Sequence, residues 1–369
     1  MSDPKLAQVS DVLEKLGSQG ASDLHLTSDR GAFYVKDKQT KPLKMPQSMA
    51  KNLLDALIEA TIDGGVGAFG RLFQAGASID NGGEFRGRLA VAREMGGLSG
   101  TIRLIPREIP TSASLRLPPA VTAIVERPAG LFLVVGQTGS GKSTTIAAMA
   151  NDYLQSHSTA MYTIEDPIEF VYPEGSSLIV QREVGPHVES FAAGVEDAKR
   201  RHPRIIIVGE IRNVETARAA LLAAASGHLV VSTMHAGTAA EAVDSFTSMF
   251  TPEEQGLVRT QLAQSLLAIV AQQLVPKHGG GLALAQEIAH NTPSIAELIR
   301  GSGSRSDDTK FIRQALMSSK GEQDGQVSME TALARLVAER AITTAAARDH
   351  ARDHSALAEK LQQHPLRVA

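Results

Sequence analysis

A chain of 369 residues is too long for one typical domain and is expected to form about two or three. With 43% hydrophobic and 21% charged residues and a formal net charge of −3, it reads as an ordinary globular protein, which excludes disordered and nucleic-acid-coating classes. The absence of cysteine excludes disulfides and Cys-based zinc sites, and no uncharged stretch approaches the roughly 18–20 residues that span a bilayer.

Met1-Ser2-Asp3-Pro4-Lys5 lacks an apolar signal-type segment, so a cytoplasmic location is expected, with any membrane work done from the surface or through a partner. Leu6, Val9, Val12, Leu13 and Leu16 then recur at helical spacing, and residues 21–27 and 31–36 read as strands. A helix at about 47–61 and a Gly-rich patch at 64–70 precede two arginine-bearing strand candidates, 85–93 and 100–106. This is an α+β unit expected to close near residue 109, with Pro106, Pro110, Pro118 and Pro119 marking a linker at 110–122.

Beyond the linker, short β-branched runs alternate with helices: strands at 131–135, 160–164, 204–208 and 229–233, helices at 190–201 and 214–226. That alternation predicts an α/β fold with a mostly parallel sheet over about 123–300. From 252 onward the pattern reads as helical, over 252–272, 293–300, 307–318 and 326–363, so 301–369 is expected to be a helical C-terminal region.

The organising element is the apolar run Leu131-Phe132-Leu133-Val134-Val135 followed by Gly136-Gln137-Thr138-Gly139-Ser140-Gly141-Lys142-Ser143, which fits G-x-x-x-x-G-K-[ST], with Thr144 opening a helix. Strand, glycine loop and helix in that order make a phosphate nest: glycines let amides turn inward, and the helix N-terminus adds partial positive charge. Lys142 is placed to reach the β- and γ-phosphates of ATP, and the Ser143 hydroxyl to ligate Mg²⁺. The competing reading is a glycine-rich turn with an incidental lysine, which the flanking elements disfavour.

Hydrolysis also needs a carboxylate for the attacking water and an acid near the metal. Glu165 and Glu210 both close strands of the same sheet, on its ligand edge. For Glu165-Asp166-Pro167 the competing reading is a turn; for Glu210 the preceding Ile-Ile-Ile-Val-Gly makes an idle carboxylate costly. His228 and His235, seven apart, do not match a zinc spacing without further ligands and suit hydrogen bonding to phosphate or relaying between subunits, against a structural role. Arg86, Arg88, Arg93 and Arg103, four arginines within 18 residues, fit a solvated face as well as charge offered to a neighbouring subunit's γ-phosphate.

Taken together with Ser22-Asp23-Leu24-His25-Leu26, Tyr162-Thr163-Ile164-Glu165-Asp166-Pro167-Ile168-Glu169-Phe170, Gln181-Arg182-Glu183-Val184, Ile205-Ile206-Ile207-Val208-Gly209-Glu210-Ile211-Arg212 and the histidine box at 227–235, the chain resembles PilT-type members of the secretion/traffic ATPase superfamily. That resemblance implies an N-terminal PAS-like domain, a RecA-like core and a homo-hexameric ring turning ATP hydrolysis into domain motion. The ring would work at the cytoplasmic face of the inner membrane on a platform protein of a pilus or secretion system, with no direct nucleic acid. By matching position, Glu165 is the general base, Glu210 the Walker B acid that also serves the metal, His235 a γ-phosphate contact, and Arg88, Arg93 and Arg103 candidate arginine fingers.

The tetracysteine insertion of many assembly and type II secretion ATPases is absent, which favours the retraction-like branch or a conjugative, DotB-like relative. Ser294-Ile295-Ala296-Glu297-Leu298-Ile299-Arg300-Gly301 departs from the Ala-Ile-Arg-Asn-Leu-Ile-Arg-Glu element associated with retraction. A RecA-like nucleic-acid motor is the alternative of another class, disfavoured by the near-neutral charge and the lack of a basic, aromatic-bearing groove.

Overall fold

The computed structural model describes residues 4–36, 39–69, 72, 74–79, 84–301, 308–318, 321 and 323–364. The chain divides into two compact units, Met1–Ile109 and Pro110–Ala369.

In the first unit, α1 (Pro4–Ser18), β1 (Ala21–Thr27), β2 (Gly31–Lys36), β3 (Gln39–Pro42), α2 (Gln47–Thr61), a short α3 (Gly65–Ala68), β4 (Gln74–Ile79), β5 (Phe85–Glu94) and β6 (Gly97–Pro106) follow one another. The strands form an antiparallel sheet in the order β3-β2-β1-β6-β5-β4. Alternation along β1, β5 and β6 sends Leu24, Leu26, Leu89, Val91, Ile102 and Leu104 to one face, where Val9, Leu13, Leu53, Leu54 and Leu57 of the two long helices cover them. The other face of those strands carries Asp23, His25, Arg88, Thr101 and Arg103.

The second unit opens with α4 (Pro119–Thr122) and continues through β7 (Gly130–Val135), α5 (Lys142–Ser156), β8 (Ala160–Glu165), β9 (Leu178–Glu183), α6 (Phe191–Lys199), β10 (Ile205–Val208), α7 (Val214–Ala225), β11 (Leu229–Met234), α8 (Ala239–Ser248) and α9 (Pro252–Ser265). There follow β12 (Leu266–Pro276), β13 (Leu282–His290), α10 (Pro293–Arg300), α11 (Asp308–Met317), α12 (Met329–Ala338), α13 (Thr344–His350) and α14 (His354–Gln363). Its sheet runs β13-β12-β7-β11-β10-β8-β9, parallel except for the antiparallel edge strand β13. All six residues of β7 are buried, as a central strand with both faces covered requires.

Two expectations are corrected. Residues 266–272 are strand, not helix: Leu266-Leu267-Ala268-Ile269-Val270-Ala271 is apolar on every side, a pattern a buried strand shares with a buried helix, and it pairs in parallel with β7. The span 326–363 is three helices, restarted by Ser328, Thr343 and Asp353, each accepting a hydrogen bond from a first-turn amide. Strands β9 and β13 have no counterpart in the sequence reading: the half-exposed residues of β9 and the nearly all-buried run of β13 both lack a clean alternation. Among the described residues no helix is long and apolar enough to cross a membrane.

Candidate active site

The order of the strands lays the site out. The glycine loop leaves the C-terminal end of β7; on one side lie the ends of β11, β10 and β8, on the other β12 and β13. Gly139 and Gly141 take φ of 75° and 85°, and a Cβ on either would meet nothing within 4 Å, so their backbone faces open space. A Cβ on Gly136 would come within 2.7 Å of the Gln272 carbonyl oxygen, so that position must be glycine for the loop to close on β12. The first turn of α5 leaves the amides of Lys142, Ser143 and Thr144 without intrahelical acceptors, and the buried Ser140 hydroxyl has no partner. This is a cradle built for anionic oxygens. Lys142 Nζ lies over it, donating to the carbonyls of Gly136 (2.9 Å) and Gln137 (3.1 Å). Burial draws its pKa below the usual lysine value, against the opposing charges of Glu210 and Glu169.

On the acidic side, Glu165 ends β8. Its Oε1 accepts from Thr163 Oγ1 (2.6 Å) and Gln181 Nε2 (3.3 Å), which fix the carboxylate toward a cavity of about 40 Å³ that it shares with Ser143, Tyr172, Gly209 and Thr233. Burial raises its pKa above the ordinary glutamate value, and those hydrogen bonds only partly offset this, which is the direction that suits a general base. Glu210 follows β10. Its Oε2 lies 3.1 Å from His235 Nε2, and its Oε1 accepts from Arg212 Nε, whose guanidinium also faces Asp166 at 3.6 Å. Two hydroxyls lock the neighbouring strand ends together, Thr233 Oγ1 on the Gly209 carbonyl (2.7 Å) and Ser232 Oγ on that of Val208 (2.8 Å).

Glu165, Ser143, Glu210 and His235 are thus brought to one edge, with His235 and Glu210 in direct contact. His228 lies at the other end of β11, buried with Nδ1 3.2 Å from the Ala223 carbonyl, and takes a structural role. In the N-terminal unit Arg88 and Arg103 are cross-strand partners on one face, with Asp23 beyond them accepting from Arg103 Nε at 3.2 Å. Two arginines directly opposed cost stability unless an anion meets them, and Asp23 meets only one. Arg93 belongs by alternation to the opposite face of β5.

The sequence reading missed several residues. Thr163, Gln181 and Arg212 orient the two acids, and their signal was faint: each sits two residues from Glu165 or Glu210 in sequence or across a strand pairing. On the other side of the loop, a cavity of about 770 Å³ is lined by Thr144, Thr145, Pro118, Leu274, Gln286 and Leu336 among others. Gln272 and Gln286 face each other across β12 and β13. Gln272 Nε2 donates to Thr145 Oγ1 (2.8 Å), while Gln286, only 6% exposed, keeps Nε2 without a partner. Gln272 was hidden by the helical reading that ran to 272, and Gln286 lies on β13, a stretch to which the sequence reading assigned no element.

The chain is similar to several known proteins. The family model described as Type II/IV secretion system protein matches residues 112–355. The type IV pilus retractation ATPase PilT of Pseudomonas aeruginosa is 34% identical over 345 residues, 93% of this chain and 98% of that one. The crystal structure of the pilus retraction motor PilT with bound ADP superimposes with a TM-score of 0.80 at 34% identity, covering 95% of this chain and 98% of that one. The ATPase DotB of Legionella pneumophila shares the fold at a TM-score of 0.80 and 24% identity, over 94% of this chain and 96% of its own. With a family model spanning most of the second unit and a relative aligned over nearly its whole length, the chain belongs to the type II/IV secretion system protein family, as one of its P-loop ATPases.

Proposed function

We propose that the chain is the subunit of a homo-hexameric, Mg²⁺-dependent ATPase motor that powers pilus retraction, acting at the cytoplasmic face of the inner membrane on a platform protein. The observation that carries it is the convergence of the glycine cradle, Glu165 and the Glu210–His235 pair on one sheet edge. ATP would lie with its phosphates over Gly136–Thr144 and its γ-phosphate toward β11, β10 and β8, which directs the nucleoside to the cavity beside β12 and β13. Ser143 and Glu210 offer the hard oxygen donors that suit Mg²⁺, which would neutralise phosphate charge. Glu165 would take the proton of the attacking water, and His235 would contact the γ-phosphate while Glu210 holds its ring. Arg88, Arg93 and Arg103 would act on a neighbouring subunit's nucleotide, with residues 110–122 as the linker between a domain of 1–109 and a core of 123–300, followed by the helical region 301–369.

A second reading, a DotB-like transfer motor, is favoured by α10. Ile295, Ala296 and Ile299 are buried as an amphipathic helix requires, but Gly301 at φ 78° caps the helix where the retraction element carries its final acid.

ATPase activity measured against protein concentration, with light scattering for mass, tests the shared-site ring in wild type and Arg103→Ala. Specific activity is expected to rise with assembly and to collapse in the variant while nucleotide binding persists. A monomer that turns over equally well, with an indifferent variant, would remove the ring mechanism.

A further inference from the structure

The loop His235-Ala236-Gly237-Thr238, between β11 and α8, is held from three sides. His235 meets Glu210 at its start. At its middle, Gly237 N–H donates to Glu241 Oε2 (2.8 Å), and Glu241 Oε1 accepts from Arg352 Nη1 (2.7 Å). At its end, Ala239 N–H donates to Glu287 Oε1 on β13 (2.8 Å). Arg352 comes from the junction of α13 and α14, more than a hundred residues further along the chain, and its guanidinium lies so close over Gly237 that a Cβ there would collide with it. The junction is itself anchored: Asp353 N–H donates to the buried Glu330 Oε1 (3.1 Å), and Arg313 of α11 faces Glu330 (3.9 Å) and Asp353 (3.8 Å).

We infer that Arg352 is a positioning residue for ATP recognition: through Glu241 it sets the His235 loop, so that the C-terminal helices decide whether His235 faces the γ-phosphate. This rests on the reading of His235 as a γ-phosphate contact. Two magnitudes favour position over stability. Arg352 and Glu241 are 32% and 48% exposed, and ion pairs of that exposure add little to global stability. A small displacement of a group that contacts the reacting phosphate, by contrast, costs rate steeply. Partial burial pulls the Glu241 pKa up, but the hydrogen bonds from Arg352 and the Gly237 amide outweigh it and hold the carboxyl below its usual value.

The test compares Arg352→Ala, Arg352→Lys, His235→Ala and the double variant Arg352→Ala/His235→Ala in the full chain. The readouts are kcat, KM, the ratio of ATP to ADP affinity, and thermal stability. Arg352→Ala is expected to lower the ATP-over-ADP preference roughly fivefold or more and kcat about tenfold, with ADP affinity and melting temperature near wild type. Lysine, which can still reach Glu241, is expected to restore most of the loss, and the double variant to lose no more than His235→Ala alone. Full preference and rate in Arg352→Ala alongside loss in His235→Ala would overturn the inference alone. An unaffected His235→Ala would instead overturn the γ-phosphate reading, and the inference with it. A lowered melting temperature together with lost ADP binding in both Arg352 variants would assign the residue to folding and refute a positioning role.

Discussion

Glu287 offers a quantitative check on how the second unit is held. Its side chain is 5% exposed between β13 and α8, it accepts from the Ala239 amide, and burial, with Glu330 adding repulsion, pushes its pKa up to about 7 against the pull of Arg352 and Arg313. A group whose folded pKa exceeds its unfolded one contributes stability that is full below the unfolded value, near 4.5, and is lost as pH rises through the folded value. Each pH unit in that window costs about 1.4 kcal/mol, so the wild type should lose roughly 3 kcal/mol between pH 4.5 and pH 8 from this residue. Glu287→Gln keeps a carbonyl oxygen for Ala239 and removes the ionisation. The variant is therefore expected to match wild type near pH 5 and to melt higher at pH 8 by on the order of 6–12 °C, at roughly 2–4 °C per kcal/mol for a unit of this size. Scanning calorimetry at several pH values between 5 and 8 measures the gap. A difference that stays constant with pH would refute the raised pKa and the burial argument behind it.

Lys142→Ala should abolish nucleotide binding, whereas Glu165→Gln should keep it and lose turnover by at least about a hundredfold, the usual span of general-base loss; similar turnover in Glu165→Gln and wild type would end the assignment. Because burial raises the Glu165 pKa, the acidic limb of the wild-type rate profile should lie above the ordinary glutamate range, rate rising with pH as the base deprotonates, and that limb should vanish in the glutamine variant. Gln286→Leu removes a buried Nε2 that has no partner, so stability should hold or rise by about 1 kcal/mol. If the nucleoside pairs with that amide, ATP affinity and the preference for ATP over GTP should fall together, read by competition binding. Gly136→Ala should cost about 3 kcal/mol or more, since its Cβ would strike the Gln272 carbonyl, visible as a lowered melting temperature with ATP binding lost.

What the sequence revealed follows from how local each signal is. The P-loop reads directly because strand, glycines and helix are contiguous, and Glu165 and Glu210 read because an acid directly after a β-branched run marks a strand end. The first two strands and the helix at 47–61 match to the residue, since alternation on a one-faced sheet and an amphipathic stripe are each a period unlike the other. Strand β12 escaped because a segment buried on all sides has no period at all. The partners that tune the acids were out of reach for another reason: Gln181 meets Glu165 only because β9 pairs beside β8, and His235 meets Glu210 only because β11 pairs beside β10. Such contacts are properties of strand order, which no window of sequence contains.

That strand order also explains how a motor could use this sheet. With β11 between β7 and β10, the element leaving β11 passes between the glycine loop and Glu210 before it enters α8. On the proposed reading His235 contacts the γ-phosphate, while two residues later the same backbone is held by the C-terminal helices through Glu241 and Arg352. A short loop fixed at both ends cannot adjust at one end alone: close packing makes its neighbours switch between discrete arrangements. Loss of the γ-phosphate would release His235, and the strain would fall on the part-exposed Arg352–Glu241 pair before the buried hydrogen bond from Ala239 to Glu287 gives way. Of these two contacts the more exposed is the one that joins the site to the C-terminal helices, which is where a coupling that makes and breaks on turnover would sit.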